Sequence, residues 1–325
     1  MEAALGCLLG VAVGDAAGAT LEFESPVTAP MVEHALTLPG GGCWAVGPGQ
    51  YTDDMELTLS LASGLCGHAP EQGFPTDSVA HQYTAWLFSQ PFDCGVTCKT
   101  AFRNGPDPDL MREAAFQCSS GSKANGALMR AAPLAIWAHR LGDAAIAACA
   151  ATDAMLSHPN RTCQDCSAAY CVALAHLIRA AGDSQGAVER AEAWCREHAD
   201  PEVQQWLLQD SKAEDITKVV DAQHQAGFVK HGFALAFYHL RQRSSFAEGI
   251  RATLAHGGDT DTNAAIVGAM LGALWGAEGI PQAMSQPVLA YRYPAQGEWP
   301  GHDRPVALQP GRIPELAEAL FQAGR

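Results

Sequence analysis

Apolar residues recur three and four positions apart over almost the whole chain, and no other feature limits the fold so tightly. Alanine is abundant and β-branched residues are sparse, so the same positions favour helix over strand. The spacing predicts helices over roughly 3–17, 54–68, 77–89, 95–104, 127–140, 143–157, 163–181, 185–198, 202–210, 229–242, 246–256, 261–277 and 313–323. Asp77-Ser78, Thr162 and Thr260 or Asp261 read as start signals. Residues 24–50, with four prolines and the run Gly40-Gly41-Gly42, read as a long loop. Residues 281–312, with six prolines, read as an irregular surface wrap before the last helix. No linker divides the chain and no repeat is visible, so residues 1–325 are expected to form one all-α domain.

Charge limits the partners. The formal charge is −15, and the imbalance is largely N-terminal: residues 1–98 carry eleven acidic side chains and no Lys or Arg, the first being Lys99. Such a field repels a nucleic-acid backbone and favours bound cations. The first apolar stretch has Glu2 in place of a positive n-region and is interrupted by Asp15, which argues against a secretory signal. No apolar run is long enough for a membrane span. Eleven cysteines, an odd number scattered over a long chain, fit a reducing cytoplasm better than a disulfide framework, and a cytoplasmic location is expected. The pair Cys163 and Cys166 lacks a second pair at zinc spacing, and the histidines follow no metal-binding pattern.

Two acidic clusters carry the chemistry. In "YTDDMELTLSLASGL" (51–65), Asp53, Asp54 and Glu56 crowd the start of a helix. Capping by Asp53, with Glu56 three residues on, is the plain explanation. In "HGGDTDTNAAIVGAMLGALWG" (256–276), Asp259 and Asp261 precede a helix that is apolar nearly all round and therefore buried. One cap needs one acid, not two with flanking threonines. No Lys or Arg lies between Arg251 and Arg292 or before Lys99, so buried carboxylates here must be hydrated or bound to a cation. Asp and Thr oxygens are hard donors that suit Mg²⁺, Mn²⁺ or Ca²⁺.

These stretches, with "GCLLGVAVGDAAGATLEF", "SSGSKANGALMRAAPLA" and "LSHPN", resemble in order the motifs of the ADP-ribosylglycohydrolase family. The resemblance runs from residue 6 to 276. It implies a compact orthogonal helical domain with a binuclear metal cleft, two Mg²⁺ or Mn²⁺ ions as cofactors, and an ADP-ribosylated protein as substrate. By match, Thr52, Asp53, Asp54, Asp259, Asp261 and Thr262 would be the metal ligands. Glu22 would be a gating or acid/base carboxylate. Asp93, in a D-x-G-x-T setting, would act on the water or leaving group; as a lone residue it reads equally as an N-cap for the helix near Gly95. Gly121, Ser122, Lys123, Asn125 and Gly126 would line the diphosphate site, at a loop running into a helix start. Ala124 departs from the usual glycine there, and Met55 replaces a usual hydroxyl. His158 would touch ADP-ribose, although a histidine before proline reads locally as a structural cap. Asp15 would support the site without being a ligand, and Arg130 would balance nearby acids.

The implied activity is metal-dependent cleavage of the bond between C1″ of the distal ribose and an acceptor, with a protein arginine preferred and a monomer expected. Carboxylates near an oxocarbenium-like transition state fit that chemistry. Three other readings stay open: a non-catalytic ADP-ribose-binding or structural member, a hydrolase of a serine, nucleobase or small-molecule linkage, and an all-α hydrolase of nucleoside phosphates. The two acidic clusters do not show the E-x-x-E spacing expected of the last.

Overall fold

A computed structural model of the chain describes residues 1–292 and 301–325. Among them sixteen α-helices form and no strand beyond isolated bridges, so the chain is all-α. The first eight are α1 (Glu2–Gly18), α2 (Ala29–Ala35), α3 (Asp53–Leu65), α4 (Thr76–Phe88), α5 (Val96–Phe102), α6 (Pro108–Ser119), α7 (Ala132–Trp137) and α8 (Asp143–Ala154). The rest are α9 (Arg161–Arg179), α10 (Ser184–His198), α11 (Pro201–Leu208), α12 (Val229–Gln242), α13 (Phe246–Leu254), α14 (Thr260–Trp275), α15 (Gln282–Ala290) and α16 (Arg312–Ala323).

The thirteen segments expected from periodicity each contain a helix, and three further helices appear. Helix α2 lies inside the expected loop 24–50, and α15 inside the expected wrap 281–312 despite Pro287. Part of that wrap, 293–300, lies outside the described residues. Helix α6 begins with Asp107 as N-cap, whose carboxylate accepts from Asp109 N (2.8 Å) and Leu110 N (3.3 Å), and Pro108 at N1. The segment 127–140 is a correction. Turns occupy residues 126–130, and the helix runs only over Ala132–Trp137, because Pro133 lacks the N–H an upstream helical ladder would need.

Helices α1 and α14 form the centre. Residues 6–18 of α1 and 260–274 of α14 are buried without a break. They approach so closely because glycines repeat every four residues on both faces. A Cβ built on Gly6 would lie 2.2 Å from Gly272 O, on Gly10 2.1 Å from Gly268 O, and on Gly14 2.1 Å from Ala264 O. The stripe ends at Gly18, where a Cβ would lie 2.3 Å from Asp261 Cα. Backbone touches backbone along four turns, and this register sets the acidic start of α14 beside the end of α1. The Thr260 hydroxyl fastens the junction by donating to Gly18 O (2.7 Å).

Helix α9 packs outside this pair, and Tyr170 donates to Ile266 O (2.7 Å). The C-terminal segment crosses back over α3. There Arg304 donates from Nε to Glu56 Oε1 (2.6 Å) and from Nη2 to Oε2 (2.9 Å), with Trp86 Nε1 adding a third bond (2.8 Å). The acid crowding at the start of α3 is thus partly resolved by a base 248 residues away, and Glu56 is not one of the unpaired acids. Among the described residues no helix is long and apolar enough to cross a membrane.

Candidate active site

The site begins with a helix cap supplied from elsewhere. The first turn of an α-helix leaves N–H groups without intrahelical partners. In α3 the N-cap residue is Thr52, not Asp53, and it makes no side-chain cap bond. Asp15 of α1 takes the role: it accepts from Thr52 N (2.8 Å), Thr52 Oγ1 (3.0 Å) and Met55 N (2.9 Å). Burial nevertheless pushes the Asp15 carboxyl up to about 8. Because Asp15 caps the helix, Asp53 and Asp54 need not. Met55 uses its backbone in this cap while its side chain is fully buried in the core, so the missing hydroxyl costs the site no backbone contact.

At the start of α14 the acid in the N-cap position likewise does no local capping. Asp259 is the N-cap residue, without a cap bond, and Asp261 sits in the first turn. Asp259 Oδ2 accepts instead from Asn125 Nδ2 (2.7 Å), and Asp261 Oδ1 from Thr262 N (2.9 Å).

The two clusters meet. Thr52 Oγ1 lies 3.3 Å from Asp54 Oδ2 and 3.4 Å from Asp261 Oδ2. Thr262 Oγ1 lies 3.4 Å from the same Asp54 oxygen, across 208 residues of sequence. One oxygen each from Glu22, Asp259 and Asp261 all lie within 4.8 Å of one another. Asp53 Oδ2 accepts from Gly95 N (3.3 Å), which draws in the loop carrying Asp93.

Among the described residues none of Asp15, Glu22, Asp53, Asp54, Asp93, Asp259 or Asp261 shares in an ion pair; the buried bases Arg130 and Arg304 are spent on Asp153 and Glu56. The electrostatic cost is visible in the proton affinities. Burial first, then neighbouring acids, pushes Glu22 up to about 7 and Asp93 up to about 10. Burial pushes Asp53 up to about 7, and holds Asp54 and Asp261 well above the carboxylate range, each with neighbouring acids adding to the shift. Asp54 Oδ1 is buried with no hydrogen-bond partner. An orphaned oxygen amid unpaired carboxylates and threonine hydroxyls is a donor set that fits a hard divalent cation.

A cavity of about 670 Å³ opens over this cluster, lined by Glu22, Asp53, Asp93, Asp259, Asp261 and Thr262 at its acidic end. Its wall continues through Phe23, Trp44, Gly95, Val96, Thr97, Ser122, Ala124, Asn125, Gly126, Met129 and Gly227. Thr52 and Asp54 lie beneath it, fully buried. Glu22 is held on the wall by Trp44 Nε1, which donates to Oε2, and by Cys43 Sγ (3.7 Å). Asp93 faces the cavity and does not cap α5, whose N-cap residue is Gly95.

The segment expected to cradle phosphate is arranged differently from the expectation. No helix starts at 126, so there are no helix N-terminal amides at this point. The loop is instead pinned in extended form: Asn125 N donates to Gly227 O (3.0 Å), and Val229 N to Lys123 O (2.9 Å). Ala124 sits in this extended pairing, opposite Phe228, where a methyl group is tolerated. Cys163 Sγ donates to Ala124 O (3.3 Å), which gives one of the discounted cysteines a structural task. Ser122, Asn125 and Gly126 line the cavity. Gly121 and Lys123 do not, and the Lys123 ammonium pairs with Glu202. Gly126 must be glycine, since a Cβ would lie 2.9 Å from His158 Cε1.

His158 is fully buried and off the cavity wall, with Nε2 on Thr97 Oγ1 (2.9 Å) and Nδ1 on Ser157 Oγ (2.8 Å). Burial and the Arg130 charge pull its imidazole down to about 3, so it is neutral at ordinary pH. Arg130 balances Asp153 (3.1 Å), as expected of it.

A sequence-family model for ADP-ribosylglycohydrolase matches residues 1–324. The chain belongs to the ADP-ribosylglycohydrolase family. Among relatives of this family, it is 30% identical over 287 residues to the ADP-ribosyl-[dinitrogen reductase] glycohydrolase of Rhodospirillum rubrum, covering 86% of this chain and 88% of that one. It is 24% identical over 288 residues to the ADP-ribosylarginine hydrolase Tri1 of Pseudomonas putida, covering 86% and 72%. A solved structure described as an ADP-ribosylglycohydrolase-related protein complex shares the fold, with a TM-score of 0.76 at 23% identity over 100% of this chain and 98% of that one.

Trp44, Thr97 and Gly227 are among the residues of the ADP-ribosylglycohydrolase cavity that sequence reading did not single out. Trp44 lies in a Gly/Pro-rich loop with no local signal. Thr97 closes the D-x-G-x-T pattern, which was the available pointer to it.

Proposed function

We propose that this ADP-ribosylglycohydrolase is a divalent-cation-dependent enzyme that cleaves the bond between C1″ of the distal ribose of ADP-ribose and an arginine side chain of a protein. The observation that carries this reading is the convergence of Asp54 and Asp261 through Thr52 with no basic counter-charge. Thr52, Asp53, Asp54, Asp259, Asp261 and Thr262 would hold two Mg²⁺ or Mn²⁺ ions, to which Glu22 can add an oxygen. Bound there, the ions supply Lewis-acid polarisation of water and of ribose hydroxyls.

The chain's own groups divide the proton work. Hydrolysis breaks the C1″–N bond, places the water oxygen on C1″ and returns a proton to the guanidine nitrogen. Glu22 and Asp93 both line the cavity, where Glu22 can accept the water proton and Asp93 can give a proton to the leaving nitrogen. Trp44 and the Cys43 thiol orient the Glu22 carboxylate for that exchange. The carboxylates also stabilise positive charge developing on the ribose ring. Arginine is favoured over a neutral acceptor because a guanidinium entering the cavity meets a lining that combines the aromatic residues Phe23 and Trp44 with several acids.

The test is hydrolysis of matched substrates. With Mg²⁺ or Mn²⁺ the purified protein is expected to release ADP-ribose from arginine-linked ADP-ribosyl protein at least about tenfold faster than from the serine-linked form, and chelation is expected to stop it. Equal or faster release from serine would replace the acceptor; activity undiminished by chelator would remove the metals.

A further inference from the structure

A chain of buried hydrogen bonds ends on the cavity wall, and the proposed proton chemistry does not use it. It starts at the Arg130–Asp153 ion pair, completely buried, where Tyr83 also donates to Asp153 (2.6 Å). Arg130 Nη1 donates to Ser157 Oγ (2.8 Å) and to Gly126 O (3.0 Å). Ser157 Oγ lies 2.8 Å from His158 Nδ1, and His158 Nε2 lies 2.9 Å from Thr97 Oγ1. Thr97 is half-buried, lines the cavity, and has no other side-chain partner among the described residues.

The direction of the proton chain follows from what each group can do. A guanidinium only donates, so the Ser157 oxygen is an acceptor toward Arg130. The single Ser157 hydroxyl proton must then go elsewhere. Its choices are the imidazole nitrogen of His158 and the sulfur of Cys98, a much weaker acceptor. Given to Nδ1, it leaves the neutral ring protonated at Nε2, which donates to Thr97 Oγ1. The Thr97 oxygen is thereby occupied, and its own hydrogen is left to point into the cavity.

We propose that Thr97 is a hydrogen-bond donor to an acceptor oxygen of the bound ADP-ribosyl group, and that His158 is its positioning residue, fixed as the Nε2–H tautomer by Ser157 and Arg130. This rests on the ADP-ribose reading above. It assigns His158 an indirect role: the histidine expected beside the ligand acts through the threonine that screens it. It also gives the buried Arg130–Asp153 pair a functional end point, since Arg130 orients both Thr97 and the Gly126 carbonyl.

Two measurements test it. Long-range ¹H–¹⁵N correlation spectra of the ligand-free protein are expected to show His158 protonated on Nε2; protonation on Nδ1 overturns the relay. Calorimetry with ADP-ribose is expected to give about tenfold weaker binding for Thr97→Val and a value within about twofold of wild type for Thr97→Ser. The melting temperature is expected to be lowered for Thr97→Val, which leaves the buried His158 Nε2–H without an acceptor, and unchanged for Thr97→Ser. Wild-type affinity in Thr97→Val overturns the donor role. If the wild type itself does not bind ADP-ribose, the functional reading fails, a result distinct from equal binding by wild type and variant.

Discussion

Replacing Asp261 by alanine is expected to lower hydrolysis of arginine-linked ADP-ribose by about a thousandfold or more. The residue sits where α14 begins against α1, with Oδ2 3.4 Å from the Thr52 hydroxyl and Oδ1 on Thr262 N. It therefore belongs to both acidic clusters at once. Stability should move the other way. Asp261 is buried among Glu22, Asp259 and Asp54, and its charged form is unfavourable without a cation. Removing it should leave the metal-free melting temperature unchanged or raised. A ligand that binds only the folded state stabilises it by mass action, so saturating Mg²⁺ should raise the melting temperature of wild type and not of Asp261→Ala. Activity within about threefold of wild type would remove Asp261 from the site.

The largest effect on stability is expected from Gly10→Ala. Its new Cβ would fall 2.1 Å from Gly268 O, a backbone atom that cannot rotate away. Relief requires α1 and α14 to separate, and that would also open the Gly6, Gly14 and Gly18 contacts. Overpacking of one methylene in a core ordinarily costs about 1–3 kcal/mol, and loss of a whole helix seam should reach or exceed the upper end. Denaturant unfolding of purified Gly10→Ala checks this against Gly311→Ala. Gly311 has open space around its Cβ position and helical backbone angles, so alanine should be neutral or slightly stabilising there. Protein that still folds should have lost activity as well, because the seam sets Asp15 and Asp261 in register. Equal stability of the two variants would show that the helices can part at little cost.

What could be read without coordinates follows from how local each interaction is. Helix periodicity is local, and it located α1 and α14 within a few residues. The acids of "TDD" and "DTDT" announced themselves by density and by flanking threonines. Other features depend on distant partners. Glu56 looked like one more uncompensated acid because its arginine is at 304. Asp15 looked like a supporting residue, yet it caps a helix 37 residues further on and thereby frees Asp53 and Asp54. The glycines at 6, 10, 14 and 18 are plain in the sequence, but their meaning requires the matching stripe of α14. Helix α6 had a readable signal in Asp107-Pro108, obscured by its mostly exposed residues. The helix expected to follow the 119–126 loop starts late because of a single residue, Pro133, itself a readable late-start signal.

The most direct test is anomalous diffraction from crystals grown with Mn²⁺. Two anomalous peaks are expected within the pocket bounded by Thr52, Asp53, Asp54, Asp259, Asp261 and Thr262. A map without manganese there, with Asp54 and Asp261 left to share protons, would contradict the claim that these carboxylates exist to hold cations.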